Sequence, residues 1–408
     1  MNARALHDRG FLVEGRSELG LPGQVEPGPA SAPVRKPRLL YLSTFNPTLG
    51  ATGTTTRGKL FLRHLANHFE THLVYLAGAE ERPGDPDLID ALASCRSVRY
   101  SKLGYFLYSL KFHRLAAQVI ERARPDVIFA DFEKAGLYAR LLGRPRGIPY
   151  LYNSHNVEYV RYLDFAHKRP LRYSLVPWIY FAERFGCAGA TNTIAISSED
   201  AKTFRRWVGD ERVQVKPAAF SEKEFNPFLS QEPTERPVVL MVGNYGYPPN
   251  SLGARKVVET VIPKVVARHP DVIFRFVGRI FPDDLSHPNM EVAGFVDDLA
   301  REYRRAAVVL VPVESGGGIK IKLVEALACG CNIVATPKAM EGVDHEGFEC
   351  LRIGALSRFP ELINEALETD VRRTTANWES VRSQFGSEAQ LEQIASLLTA
   401  QCKEAAQR

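Results

Sequence analysis

The sequence of 408 residues has no long apolar run of the kind that a membrane span requires. No apolar stretch reaches the roughly 18 residues needed to cross a bilayer. The N-terminus also lacks the apolar core of a signal peptide. Both absences predict a cytoplasmic protein, with contact at the inner face of the membrane as a further expectation.

The cysteine spacing that is typical of a zinc site is missing as well. The six cysteines are scattered along the chain, and none belongs to a CxxC pair. Cys329 and Cys331 are separated by Gly330 alone, which is too close for that pattern. We therefore expect free, buried thiols in a reducing compartment and no metal site.

No block of positive charge marks a nucleic-acid-binding surface. The formal net charge is only +5, and the lysines and arginines are spread along the chain. A composition that is 45% hydrophobic and 24% charged indicates a globular protein. A chain of 408 residues is long for one hydrophobic core and favours two domains.

Two common nucleotide-binding motifs are absent after the first predicted strand, Arg38–Ser43. A loop at 46–56, rich in glycine and hydroxyl groups, and then a helical pattern follow this apolar run. The segment contains neither G-x-G-x-x-G nor the GK[ST] of a P-loop, so no nucleotide is implied here. The missing glycine fingerprint makes a dehydrogenase the weakest rival function. The loop, which contains Gly50 and Gly53, either faces a second substrate or is a flexible turn.

A glycine loop in the second half of the chain is the strongest local signal. The stretch 311–342 reads as strand, three glycines, helix and strand, which is a βαβ unit. Ile319, Leu323 and Leu327 share one helical face, and Gly330 ends the helix. Because backbone amides at a helix N-terminus favour anions, this loop predicts a phosphate site.

Strands and helices alternate twice along the chain, on either side of a segment rich in proline and charge. The pattern predicts an α/β fold with two Rossmann-like, doubly wound domains that face each other across a cleft. The predicted divisions are a disordered tail (1–36), a first domain (37–221), a linker (222–236), a second domain (237–385) and a C-terminal helix (386–408).

Five stretches occur in the order typical of one enzyme family: PTLGATGTTTR, HNVE, VGNYGYPPN, GFVDDLAREYRRAAVVLVP and GGGIKIKLVEALACGCNIVAT. Over roughly residues 38–385 the chain resembles the retaining, group-1 (GT4-like) glycosyltransferases of GT-B architecture. The resemblance implies transfer of a sugar from a UDP- or GDP-linked donor with retained anomeric configuration, without a metal or cofactor. It implies that the second domain holds the nucleotide and the first holds the acceptor.

The resemblance also assigns roles to individual residues. His155 matches a histidine near the donor sugar, Lys322 would meet the charge of the leaving diphosphate, and Glu325 would accept the ribose hydroxyls. These three are the predicted catalytic residues. Gly50, Gly53 and Arg57 would lie on the acceptor side. The predicted donor-binding residues are Gly243, Asn244, Arg279, Gly316, Gly317, Gly318, Lys320, Lys322 and Glu325.

The sequence departs from the family pattern at two places. Gly317 stands where many members carry a glutamate, so Glu314 or the loop amides would replace that glutamate. An Arg and Lys pair after the first strand of the second domain is also missing, and Arg255 or Arg279 would substitute for it. Since residues two apart do not share a helix face, we expect only Lys322 of the two loop lysines to point inward.

Two rival functions remain open, a sugar-nucleotide isomerase of the same fold and a non-catalytic nucleotide-sugar-binding scaffold. Reaction without an acceptor would identify the isomerase, and binding without turnover would identify the scaffold. The acceptor would be a glycan, a lipid-linked glycan or a small molecule. The aromatic and basic segment 161–185 is either a membrane-contacting surface or a pair of helices packed on the sheet.

Overall fold

The computed structural model describes residues 35–49, 53–78, 84–100, 107–132, 134–166, 170–217, 220–229, 234–316, 318–369 and 375–407. Residues 36–408 form one compact unit. The predicted tail lies almost wholly outside the described residues, as do Gly50 and Gly317. Within the described ranges, no helix is long and apolar enough to cross a membrane.

Seven parallel strands form the sheet of the first half. They are β1 (Arg38–Ser43), β2 (Glu70–Ala77), β3 (Ser94–Arg99), β4 (Val127–Asp131), β5 (Tyr150–Asn153), β6 (Asn192–Ala195) and β7 (Val213–Val215). Their spatial order is β3-β2-β1-β4-β5-β6-β7. The direction of winding reverses between β1 and β4, which makes this the switch point of a doubly wound sheet.

The second half contains a six-stranded parallel sheet with the same winding. Its strands are β8 (Val238–Asn244), β9 (Ile273–Arg279), β10 (Met290–Gly294), β11 (Val308–Val311), β12 (Ile333–Ala335) and β13 (Leu351–Ile353). The order β10-β9-β8-β11-β12-β13 places the second switch point between β8 and β11. Two doubly wound sheets confirm the predicted fold class.

Helices pack on both sheets. In the first half they are α1 (Gly53–His68), α2 (Pro86–Asp90), α3 (Leu110–Ala123), α4 (Ala135–Gly143), α5 (Glu158–Ala166), α6 (Val176–Gly189) and α7 (Ser198–Val208). Those that follow are α8 (Pro248–Lys256), α9 (Ile262–Val266), α10 (Leu299–Arg305), α11 (Ile321–Ala328), α12 (Phe359–Glu368), α13 (Thr375–Phe385) and α14 (Ser387–Ala406). A π-helical turn at Val257–Val261 joins α8 to α9, next to Pro263, which supplies no amide proton.

Each sheet has apolar side chains on both faces. In β1, Leu39 and Tyr41 join one buried core while Leu40 and Leu42 join the core on the opposite face. All four side chains are inaccessible to solvent. Burial on both faces requires a continuous apolar run, so the central strands can be predicted from the sequence.

The last helix returns to the first half of the molecule. Val381 and Phe385 of α13 still belong to the core of the second half. The chain then crosses beside an isolated β-bridge between Phe220 and Gly386, and α14 buries Leu391 and other apolar residues in the core that contains β1. The final helix therefore contributes to the hydrophobic core of the first half.

Candidate active site

A cleft of about 1210 Å³ lies between the two sheets, where the carboxyl ends of their strands meet. Thr48 and His155 line it from the first half, and Asn244, Lys322 and Glu325 line it from the second. These residues follow β1, β5, β8 and β11, which flank or neighbour the two switch points. Ligands of doubly wound sheets bind at this position.

The glycine loop between β11 and α11 adopts a conformation that side chains disfavour. Gly316 has φ +96° and Gly318 has φ +74°, both in the left-handed region. A Cβ at Gly316 would lie 2.7 Å from the hydroxyl of Tyr247, and one at Gly318 would lie 3.3 Å from Oδ1 of Asn156. Asn156 comes from the first half, so the loop closely approaches the opposite wall of the cleft.

Both loop lysines line the cleft, so the expectation that only Lys322 would do so is wrong. Lys320 precedes the first turn of α11 as its N-cap residue, and spacing within a helix therefore does not apply to it. Its Nζ donates to the carbonyls of Gly316 (3.3 Å) and Gly318 (2.5 Å). Lys322 Nζ donates to Oδ1 of Asn250 at 2.6 Å.

Both loop ammonium groups lie where burial disfavours the charged form. Burial, together with the neighbouring Lys320 charge, lowers the pKa of Lys322 to about 8. Burial also lowers the pKa of Lys320 to about 8, with the charge of Lys338 acting in the same direction. An anion bound beside them would favour their charged forms, because it would add its negative charge to that of the neighbouring Glu341 and Glu325. The helix dipole, whose positive end is the N-terminus of α11, adds to this preference.

Glu325 lies one turn after Lys322 on α11 and is 6% exposed. Its Oε2 accepts a hydrogen bond from the hydroxyl of Tyr303 at 2.9 Å. Burial raises the pKa of Glu325 to about 7, and the charge of Glu224 acts in the same direction. A carboxylate at the wall of a cleft, held by one neutral donor, is suited to accept further hydroxyl donors from a ligand.

His155 is held by a buried carboxylate in the first half. Its Nε2 lies 2.8 Å from Oδ1 of Asp131, and the ring is 4% exposed. The amide of Asn153 donates to the same Oδ1 at 2.7 Å and also lies 3.3 Å from Nε2. Since a carboxylate only accepts hydrogen bonds, the proton of the neutral imidazole lies on Nε2. Nδ1 is then the ring atom that can accept a hydrogen bond.

The rings of Phe45 and Phe132 enclose the imidazole of His155 edge-on, with centroid distances of 5.7 and 5.4 Å. The hydroxyl of Tyr41 donates to the second oxygen of Asp131 at 2.7 Å. Every contact in this group restricts the orientation of the imidazole, so its position is set before a ligand binds.

Arg57 was predicted to lie on the acceptor side, and it borders the cleft. It is 1% exposed, and its guanidinium donates to the carbonyls of Lys216 (3.1 Å) and Pro217 (2.7 Å) and to Oδ1 of Asn153 (3.3 Å). Burial lowers the pKa of Arg57 to about 10. The side chain thus joins the end of β7 to the group that holds His155. Gly53 is the first residue of α1.

Three further predicted donor-binding residues lie in the cleft, and two residues considered as substitutes do not. Gly243, Asn244 and Arg279 line the cleft at the ends of β8 and β9, and the Arg279 guanidinium lies 4.8 Å from the ring centroid of Phe295. Arg279 therefore lies in the cleft, and its role as a substitute for the missing cations stays a prediction. Other residues considered as substitutes lie elsewhere: Arg255 pairs with Glu259 and Asp284, and Glu314 pairs with Lys256.

Three supporting residues escaped the sequence reasoning: Asp131, Asn250 and Tyr303. Each holds a predicted catalytic side chain from a distant part of the chain. Asp131 is the last residue of β4, directly beside the switch point. Its position at the end of a predicted strand is the sequence signal that could have marked it as a site residue.

Comparison with known families identifies this arrangement. Residues 236–367 match the family described as "Glycosyl transferases group 1". Residues 52–219 match the family described as "Glycosyl transferase 4-like domain". The chain belongs to the group-1 glycosyltransferases. One match lies in each of the two halves that form the walls of the cleft.

One curated relative of this glycosyltransferase is the phosphatidyl-myo-inositol mannosyltransferase of Mycolicibacterium smegmatis. The two are 34% identical over 148 residues, which covers 32% of this chain. The matched segment spans 37% of the length of that relative.

Solved structures share the GT-B fold over most of the chain. Sucrose-phosphate synthase from Thermosynechococcus elongatus superposes with a TM-score of 0.67 at 18% identity, covering 88% of this chain and 98% of that one. HepE from Anabaena, solved with UDP and glucose, gives a TM-score of 0.61 at 16% identity, covering 88% and 99%. At these identities the similarity concerns the fold.

Proposed function

We propose that the protein transfers a sugar from a UDP- or GDP-linked donor to a hydroxyl of an acceptor, with retained anomeric configuration. The bond from the anomeric carbon to the diphosphate breaks, and a bond to the acceptor oxygen forms. The hydroxyl proton leaves with the diphosphate or to solvent. In this proposal no metal ion is needed, because protein cations meet the charge of the diphosphate.

One observation carries the proposal: two half-buried lysines and a buried carboxylate share one wall of the cleft. Lys320 and Lys322 precede Glu325 on the same segment. A nucleoside diphosphate has the matching features, an anionic end and two vicinal ribose hydroxyls that donate hydrogen bonds. As the glycosidic bond breaks, negative charge grows on the diphosphate, and fixed cations there lower the barrier.

The first half would orient the donor sugar. His155 Nδ1 is an acceptor for a sugar hydroxyl, because Asp131 holds the proton on Nε2. Asn156, which approaches the glycine loop, lies beside it on the same wall. The sugar would thus bind between the wall that contains Lys322 and the wall that contains His155, and closing of the cleft around it would exclude water.

Product analysis with and without acceptor tests this proposal. The purified protein is incubated with UDP- and GDP-linked sugars and a panel of glycan, lipid-linked and small acceptors. We expect a glycosylated product whose anomeric configuration, measured by NMR, equals that of the donor. Inverted product would exclude retention. Conversion of the donor without acceptor would indicate an isomerase, and nucleotide binding without turnover would indicate a scaffold.

The surface of α5 and α6 has features that favour a lipid-linked acceptor. Phe181 is 52% exposed, and its ring centroid lies 6.0 Å from that of Trp178. Val160 and Leu163 are also exposed. Arg184 adds positive charge beside this apolar group. The mycobacterial relative is named for a phospholipid acceptor. We therefore propose that this surface contacts the membrane that carries the acceptor.

Binding to vesicles tests the membrane contact. We expect the protein to sediment with phosphatidylglycerol-containing vesicles at low salt and to be released as the ionic strength rises. Phe181→Ser should weaken this binding, because it removes apolar surface from the contact. Leu252→Ser is the matched control, since Leu252 is 49% exposed on α8 in the other half. Equal binding by both variants would contradict the assignment.

A further inference from the structure

Two histidines and a glutamate converge where the first helix of the fold meets the last. His64 and His68 are four residues apart in the last turns of α1 and so share one face of the helix. Glu392 faces them from α14, and its Oε2 lies 3.4 Å from Nε2 of each histidine. One nitrogen of each ring and one carboxylate oxygen all lie within 4.8 Å of one another.

These distances suit a metal better than a hydrogen bond. A typical N–H···O bond spans about 2.9 Å. In a tetrahedral zinc site with metal–ligand distances of about 2.1 Å, neighbouring ligand atoms lie about 3.4 Å apart. Nε2 of His64 is shielded from solvent and makes no well-aligned hydrogen bond with any described residue. Both nitrogen–oxygen distances therefore match the edge of a zinc tetrahedron, and one nitrogen of each histidine lies within 4.8 Å of the other.

We propose that His64, His68 and Glu392 bind a divalent first-row transition metal ion of the Zn²⁺ type. Imidazole nitrogens with one carboxylate are an established ligand set for zinc. The three side chains do not line the cleft between the two sheets. The ion would therefore act in structure and not in sugar transfer.

The effect of the ion follows from the positions of the two helices. Leu65 of α1 and Leu391 of α14 lie in the same buried core. A metal bridging His64, His68 and Glu392 would clamp α14 onto the first half at the surface edge of that core. Metal binding and docking of the last helix would thereby be coupled, so the ion would stabilise the folded chain.

Zinc titration of the full-length protein tests the site. The protein is prepared without a polyhistidine tag, stripped with a chelator, and titrated with Zn²⁺ by calorimetry. We expect one saturable site whose affinity falls at least about tenfold in His68→Asn and in Glu392→Gln. His269→Asn is the matched control, because His269 also lies near a carboxylate, Glu368 at 3.8 Å, but without a second histidine. This variant should bind as the wild type does.

A second measurement separates the proposed site from adventitious binding. Zn²⁺ should raise the unfolding temperature of the wild type and of His269→Asn, but not that of His68→Asn. Co²⁺ in the site should give the intense visible absorption of tetrahedral coordination. Both substituted side chains are partly exposed, at 37% for His68 and 58% for Glu392, so the variants should fold, which circular dichroism verifies. Equal zinc affinity and equal thermal shifts in all variants would overturn the proposal.

Discussion

Replacing Lys322 with alanine is expected to lower turnover about 10²–10³-fold, the loss typical of removing one preorganised group that stabilises transition-state charge. Lys322 lies in the first turn of α11, and its ammonium group donates to Asn250. The diphosphate would gain negative charge at this position. Turnover is measured with the donor that the product screen identifies. Binding of UDP and GDP is measured separately by calorimetry.

The matched control for this variant is Lys256→Ala. Lys256 is a half-exposed lysine of the same half of the molecule, and it pairs with Glu314 instead of lining the cleft. Its removal should leave turnover within about twofold, because exposed ion pairs contribute little. If Lys322→Ala retained wild-type turnover while both proteins remained folded, the role assigned to this lysine would be wrong.

Replacing Glu325 with glutamine is expected to weaken nucleotide binding and, at pH 8, to stabilise the unliganded protein. A hydrogen bond to a charged acceptor contributes about 1.5–3 kcal/mol, so losing the charge should lower the affinity for UDP or GDP about tenfold. Glutamine keeps the shape of the side chain and an oxygen that accepts from Tyr303. Calorimetry measures the affinity, and chemical denaturation measures the free energy of unfolding.

The stability effect has a defined pH window. The pKa of Glu325 is about 7 in the folded protein and 4.5 in the reference state. Between these values the folded state binds the additional proton, so this group makes the free energy of unfolding fall as the pH rises. Above pH 7 the full destabilisation by the buried charge is present. Glu325→Gln lacks this titration and should show a flatter profile from pH 4.5 to 7.

Glu314→Gln provides the comparison for Glu325→Gln. Glu314 is half exposed and pairs with Lys256, so its substitution should preserve both the nucleotide affinity and the wild-type pH profile. Parallel stability profiles for wild type and Glu325→Gln across this window would show that the carboxyl group is not destabilised by burial.

The sequence predicted the buried centre of each sheet better than its edges. The run Arg38–Ser43 coincides with β1, because a central parallel strand is apolar on both faces. Strand β3 has no comparable signal, since Ser94 and the arginines of this edge strand interrupt any apolar pattern. The predicted loop 46–56 extends too far, because α1 already begins at Gly53. Glycine and the three threonines after it have low helix propensity, so the sequence does not show this first turn.

The site was only partly predictable for a different reason. Local motifs identified Lys322, Glu325 and His155, all of which line one cleft. The groups that position them are set by topology: Asp131 reaches His155 because β4 and β5 are adjacent. No spacing along the chain encodes such a contact. The proposed metal group has the same origin, since the sequence-based expectation of no metal considered cysteine spacing and not histidines that meet a distant glutamate.

The return of α14 to the first half has a consequence for dissecting the molecule. A fragment that ends after β7 would contain every strand of the first sheet but would expose the surface that Leu391, Ile394 and Leu398 cover. Such a fragment is expected to be less stable than the intact chain and prone to aggregate through that surface. Supplying residues 387–406 as a separate peptide, or fusing them by a short linker, should restore its solubility. The structural unit of the first half is therefore discontinuous in sequence.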